Sequence, residues 1–255
     1  MNIKNLKKEI LKMAYASKEG HLGSSFSILD ILVVLYDQIL RVDPKNPSMQ
    51  NRDRFVLSKG HASFGLYAVL AEKGFFSKNL LKEACQFDNI LGGHPDMKKV
   101  PGVEVSSGSL GHGFPMAVGM ALGLKIAKKK ARVYTIIGDG ECNEGTIWES
   151  ALLAPHHKLN NLSCVVDYNH SNDRALKLMD LVAKFKSFGW ETLRIPGHDH
   201  KKIYKALKTT HKDKPVAIIA ETTKGKGSKT MENNHAWHHK TPTAEELEII
   251  INELS

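Results

Sequence analysis

One carboxylate, one amide and two glycines carry the most specific chemistry in this sequence. Gly138-Asp139-Gly140 follows an apolar run, Val133 to Ile137. Asn169 comes thirty residues after Asp139, just past a second apolar run, Leu162 to Val166. Each run reads as a strand, and a helix pattern starts at Glu144 between them. In a parallel sheet both strand ends lie on one edge, where α/β proteins bind ligands. Asp139 and Asn169 can therefore converge on one point. A carboxylate and an amide oxygen are hard donors suited to Mg²⁺. Glycines at a helix start let backbone N–H groups approach a phosphate. The combination describes a site for a magnesium diphosphate.

Histidines form the second group. The chain has 13 of them, and their placement says more than their number. His21, His61 and His94 each sit in a Gly-containing loop, and His238 lies in a polar loop near the end. A single loop histidine is usually just solvated. Four in similar contexts, each beside an α/β element, point to a shared site on one sheet edge. Neutral imidazoles donate to hydroxyls and phosphates and move protons near neutral pH. Zinc is the competing reading, since His156-His157 and His238-His239 are adjacent pairs. The sequence shows no HExxH and no Cys/His cluster to support it. The cysteines, Cys85, Cys142 and Cys164, have neither pairing nor metal spacing and read as reduced thiols, Cys142 as a packing residue.

The elements that must position these residues follow in order. Residues 2 to 18 fit an amphipathic helix. Gly20 to Ser25 reads as a loop, and an apolar helix spans Ser27 to Leu40, with Ser27 and Asp30 as a capping box. Phe55 to Leu57 is a short strand that ends at Ser58-Lys59-Gly60-His61, before a helix from Ala62 to Lys73. A short helix from Leu80 to Phe87 precedes two loops, Gly92 to Pro95 and Ser106 to Gly113. Phe114 to Lys130 is a helix rich in small residues, which predicts a buried position or a subunit contact. Later elements are a helix from Leu176 to Phe188, a strand from Glu191 to Ile195 and a helix from Lys201 to Thr209. A strand from Val216 to Glu221 leads to a long polar loop, and a closing helix over Thr243 to Leu254 has Thr243 and Glu246 as its capping box. Strands alternate with helices, so the fold class is α/β: a three-layer, doubly wound, mostly parallel sheet.

At 255 residues, with no repeat and no low-complexity linker, the chain reads as a single domain over residues 1–255. The longest apolar run, Ile31 to Tyr36, is too short to cross a bilayer, and the Lys-rich N-terminus lacks a continuous apolar block. A cytoplasmic protein without a membrane partner is expected. The net charge of +9 raises nucleic-acid binding. The lysines are scattered, however, and no aromatic platform lies between them. A basic surface that favours phosphorylated ligands is the better reading.

The Gly138-Asp139-Gly140 and Asn169 spacing resembles the thiamine-diphosphate motif. The flanks strengthen it: Ser58-Lys59-Gly60-His61, Gly93-His94-Pro95, Ser107-Gly108-Ser109-Leu110-Gly111, Met231-Glu232-Asn233 and Trp237-His238. In that order they are similar to the diphosphate-binding half of transketolases, over nearly the whole chain. Specifically, the chain resembles the N-terminal subunit of a split transketolase. This implies thiamine diphosphate and Mg²⁺, or Ca²⁺ or Mn²⁺ in its place. Asp139 and Asn169 would hold the metal through side-chain oxygens, and Ser171 through its carbonyl. Gly140 would approach the diphosphate through its N–H, with His61 and His238 bonded to it or near the thiazolium. Gly108, Ser109 and Leu110 would meet the pyrimidine side. His21 and His94 would face sugar hydroxyls. Glu144 and Glu149 match acidic residues that link two active sites, although first-turn acids also favour a helix dipole. The implied reaction passes a two-carbon ketol unit from a ketose to an aldehyde, with the carbanion chemistry supplied by the cofactor.

The family places a glutamate that activates the cofactor, an aromatic platform and sugar-phosphate ligands on a pyrimidine-binding domain. The sequence ends at Ser255, soon after the His238 loop, so a separate pyrimidine-binding subunit is expected, in an assembly of two of each (α2β2), acting on sugars or sugar phosphates. Two local departures stand out. His170 to Arg174 replaces a Gly-containing apolar pattern, and His239 stands where a glycine is expected after His238. They suit a divergent sugar. A related carboligation, forming deoxyxylulose phosphate or a branched sugar, and a non-catalytic cofactor-binding scaffold are alternatives. A magnesium-dependent phosphate hydrolase built on Asp139 leaves the histidine loops unexplained.

Overall fold

The computed structural model describes residues 1–173 and 175–254. In chain order the helices are α1 (Ile3–Ser17), α2 (Leu22–Val34), α3 (Ser63–Lys73), α4 (Gly113–Ile126), α5 (Gly145–His156), α6 (Leu181–Ser187), α7 (His200–Lys208) and α8 (Ala244–Glu253). The strands are β1 (Arg54–Leu57), β2 (Val133–Gly138), β3 (Leu162–Tyr168), β4 (Glu191–Pro196) and β5 (Val216–Glu221). They form one sheet in the order β1-β2-β3-β5-β4. Every pairing is parallel. All strand C-termini therefore open on one edge.

Alternating burial explains the three layers. Tyr134 and Ile136 on β2, Val165 on β3 and Ile218 on β5 face a core that includes Ile10, Phe26, Leu29 and Tyr67 from α1, α2 and α3. Their neighbours Val133, Ile137, Cys164, Val166 and Ile219 face the opposite core, with Phe114, Ala117, Ile147 and Phe185 from α4, α5 and α6. Side chains alternate across a strand, so two apolar faces require helices on both sides.

Local capping sets several boundaries. Thr243 and Glu246 form the expected capping box of α8. Asp180 accepts from Val182 and Ala183 N–H, so α6 starts at Leu181, five residues later than the apolar pattern from Leu176 predicts. Ser27 is not a cap. Helix α2 begins at Leu22, inside the predicted loop, and Ser27 lies within it. Its Oγ donates to Ser24 carbonyl at 3.0 Å and to Asp167 at 2.7 Å. The predicted helix from Leu80 to Phe87 is a short 3₁₀ segment, Lys78–Glu83. Helix α4 stops at Ile126 and is buried on one face only; Gly119 and Gly123 have open space beside them. The apolar run at Ile31 belongs to a longer helical stretch, Leu22–Ile39, whose last turn is a π-helix. By length and composition it could cross a membrane, but 83% of it is buried inside the fold.

Candidate active site

The sheet edge gathers residues that are far apart in sequence. Strand β1 leads into Lys59 and His61, β2 into Asp139, β3 into Asn169 and β5 into Thr222 and Lys224. Of these, all but Thr222 line a cavity of about 270 Å³, together with His21 at the start of α2, His94, Gly108, Leu110, Gly140, Ser171 and His238. Four loop histidines thus face one site, as their contexts predict. Among the described residues no group of three or more His, Cys, Asp or Glu could hold a metal, so the zinc reading finds no support.

Asp139 is buried, and its Oδ1 accepts from Gly140 N–H at 2.8 Å and from Ser171 Oγ at 3.2 Å. Among the described residues its Oδ2 is buried without a partner. Burial, then the nearby Asp167, push this carboxyl above its ordinary range. A buried, unpaired carboxylate oxygen is costly unless a cation takes it. Asn169 lies beside it. Its Nδ2 donates to Asp167 at 3.0 Å, which turns Oδ1 to the other side, where it accepts Ser171 N–H at 3.1 Å. Asp139 and Asn169 thus present hard oxygens and fit a divalent cation. Gly140 departs from expectation: its N–H is already satisfied by the adjacent Asp139 carboxylate, because that short side chain folds back.

A charged hub that the motif reading missed underlies this pair. Asp167 is fully buried and accepts from Lys59 Nζ at 2.5 Å, Ser27 Oγ at 2.7 Å and Thr222 Oγ1. Burial opposes its ionisation, but Lys59 and these donors hold its carboxyl below the ordinary range. The Lys59 chain passes over Gly138, where an added Cβ would lie 3.7 Å from it, and crosses the end of β2 to reach β3. The signal was present, a lysine and an aspartate each ending an apolar strand, but only the sheet order makes them partners. Glu141 was also missed. It is buried, accepts from Ser58 Oγ at 2.7 Å and Gly111 N–H at 2.9 Å through Oε1, and from Gly138 N–H at 3.0 Å through Oε2. Burial raises its pKa despite those donors. It ties the ends of β1 and β2 to the Gly108 loop. That loop packs tightly: a Cβ on Gly60 would lie 2.7 Å from the Ser107 backbone.

The histidines sit in a basic, partly desolvated cluster. The His21 ring lies 5.0 Å from His61, 5.7 Å from His238 and 4.5 Å from His239, centroid to centroid. Burial, then His239 and His238, bring its pKa down to about 4. Burial and Lys59 push His61 lower still. Lys224 Nζ donates to His238 Nδ1 at 2.8 Å, and burial followed by Lys59 lowers that lysine to about 8. His238 is lowered by burial and Lys224. Tyr67 hydroxyl donates to His94 carbonyl at 2.9 Å, and Ser63 Oγ to Gly93 carbonyl at 2.7 Å; both fix the His94 loop. Neutral imidazoles beside two lysines form a wall suited to an anion, opposite a carboxylate suited to a cation.

Three candidates stand elsewhere. Ser109 is exposed, while its neighbours Gly108 and Leu110 line the cavity. Glu144 and Glu149 are exposed around the start of α5, outside the cavity. Arg174, the last residue of the divergent stretch, lies outside the described residues.

Fold and site define an α/β protein with a cleft of acidic and basic side chains at the C-terminal edge of a parallel sheet. The chain belongs to the transketolase family: the model for the transketolase thiamine diphosphate binding domain matches residues 3–254. It is 39% identical over 257 residues to one subunit of the apulose-4-phosphate transketolase of Phocaeicola vulgatus, covering 98% of this chain and 91% of that protein. It is also 39% identical over 242 residues to the 6-deoxy-6-sulfo-D-fructose transketolase subunit SqwG of Clostridium sp., covering 92% and 88%. A crystal structure of transketolase from Pichia stipitis superposes with a TM-score of 0.92 at 29% identity. That match covers 99% of this chain and 40% of the larger one.

Proposed function

We propose that this chain is the diphosphate-binding subunit of a transketolase that transfers a two-carbon ketol unit from a ketose or ketose phosphate to an aldose. One observation carries the reading: the buried Oδ2 of Asp139, unpaired among the described residues, beside Asn169 and opposite a wall of His61, His238 and Lys224. Asp139, Asn169 and the Ser171 carbonyl would hold Mg²⁺. His61, His238 and Lys224 would bind the diphosphate, joined by Gly140 once its N–H turns from Asp139. Gly108, Ser109 and Leu110 would meet the pyrimidine side. Bound thiamine diphosphate supplies the carbanion chemistry. His21 and His94 bind sugar hydroxyls, and neutral His21 can accept a proton from one. Glu144 and Glu149 would link this site to a second copy through shared proton equilibria.

The activity requires a separate pyrimidine-binding subunit, in an α2β2 assembly. Two relatives of nearly this length bear names as transketolase subunits, while the chain spans 40% of the transketolase from Pichia stipitis. Three free cysteines, two of them buried, suit a cytoplasmic enzyme. The test is calorimetric titration with thiamine diphosphate and Mg²⁺, paired with a ketol-transfer assay. Wild type should bind the cofactor, and Asp139→Ala should not. The chain alone should turn over negligibly, and activity should appear when the partner is added. Equal binding by Asp139→Ala sinks the site assignment, and turnover by the chain alone sinks the split-enzyme reading.

A further inference from the structure

A second recess, of about 480 Å³, adjoins the inner cavity. His21 and His94 line both, so the two spaces meet at this histidine pair. The outer space is chemically different. The inner one concentrates Lys59, Lys224, Asp139 and Glu141. The outer one has a single acid and a single lysine, Glu19 and Lys99, with His239 and the fully exposed ring of Phe87.

His239 forms the lip. Its ring lies 4.5 Å from that of His21, and its Nε2 is 3.7 Å from Glu19 Oε2. That separation exceeds hydrogen-bond reach, so both groups keep bonding capacity for a ligand. An exposed aromatic face beside uncommitted polar groups suits the C–H and O–H surfaces of a sugar. Balanced charge suits hydroxyls over a phosphoryl group. A ketose that places its reacting carbons at the inner site must send its remaining carbons outward past His21 and His94.

We propose that this recess binds the hydroxyl-bearing distal carbons of the ketose, and that His239 is a specificity-determining residue for that segment. The inference rests on the ketol-transfer reading.

The test uses the complex of this chain with its pyrimidine-binding subunit, loaded with thiamine diphosphate and Mg²⁺. Donors are β-hydroxypyruvate, which has no distal chain, and D-xylulose 5-phosphate, D-fructose 6-phosphate and D-sedoheptulose 7-phosphate. For the ketose of lowest KM, His239→Gly should raise the ratio of its KM to that of β-hydroxypyruvate by about three- to tenfold, the range of one lost hydrogen bond. His239→Gln, which keeps a donor, should recover most of that ratio, and Glu19→Gln should shift it in the same direction as His239→Gly. An unchanged ratio in His239→Gly, or equal KM changes for both donors, overturns the proposal. A wild-type complex that uses β-hydroxypyruvate but none of the three ketoses overturns the recess and leaves ketol transfer standing. Inactivity toward all four removes the reading beneath it.

Discussion

Lys59 Nζ lies 2.5 Å from Asp167 Oδ2, and both side chains are almost wholly buried. The pair joins the ends of β1 and β3 across β2, and the same Asp167 oxygen receives the Asn169 amide. The orientation of Asn169, which we propose as a cation ligand, thus depends on a buried ion pair.

Breaking that pair should be costly. Lys59→Met leaves Asp167 buried and uncompensated, a loss of about 3–5 kcal/mol. The double variant Lys59→Met/Asp167→Asn removes both charges and should recover much of the stability. It should not recover full cofactor affinity, because the shared Oδ2 that sets the Asn169 amide is replaced. Denaturant unfolding and calorimetric titration measure the two effects separately. Equal stability of the single and double variants would show that the pair is not coupled.

Glu141 gives a second case, without a direct role toward any ligand metal. Its two oxygens accept from Ser58, Gly111 and Gly138. Glu141→Gln turns one acceptor into a donor facing donors. Destabilisation of about 1–3 kcal/mol is expected from unsatisfied buried groups. Glu141→Gln should also weaken cofactor binding, since Gly138 and the Gly108 loop both border the cavity. A chemical melt indistinguishable from wild type would contradict this.

Much of this arrangement was legible in the sequence. Apolar runs ending at Asp139 and Asn169 gave the strands, and the loop context of His21, His61, His94 and His238 gave their convergence. Three things were not. Ser27 looked like a cap because Asp30 follows at the capping-box spacing. In the fold Ser27 reaches Asp167, and Asp30 bridges His198 and His200 at 2.8 Å each, so long-range bonds override the local pattern. Lys59 and Asp167 are 108 residues apart and become partners only through the order β1-β2-β3. The Leu176 helix was overextended because exposed apolar residues, Leu176 and Met179, mimic a core stripe.

Asp139 should trade stability against binding. Its Oδ2 is buried without a partner among the described residues, and burial raises its pKa. Asp139→Asn replaces a buried charge with a neutral amide, whose burial costs less. The cation-free protein should melt higher by about 2–4 °C, corresponding to roughly 1 kcal/mol in a domain of this size. Affinity for magnesium pyrophosphate should fall by more than about tenfold, since the amide supplies a weaker ligand than the carboxylate. Differential scanning fluorimetry and calorimetry read the two arms. A variant that melts lower and binds as wild type would refute both.

The histidine cluster sets an acid limit on the fold. Burial, then the neighbouring His239 and His238, bring His21 down to about 4, and burial with neighbouring positive charge also holds His61 and His238 below the ordinary histidine value. In the unfolded chain each takes up a proton near pH 6.5. Between pH 6.5 and about 4 the unfolded state therefore binds more protons, so stability rises with pH and is lost on acidification. Asp139 and Glu141 act in the opposite sense, because their raised values favour proton uptake by the folded state. Asp30 and Asp167, held low, lose their contribution only at more acid pH. A comparison between pH 7 and pH 5 therefore isolates the histidines when wild type is set against His21→Asn/His61→Asn. The wild-type melting temperature should drop more over that interval than the double variant's. Parallel curves would mean that these imidazoles take up protons as easily in the folded chain as in the unfolded one, which the burial of His61 beside Lys59 argues against.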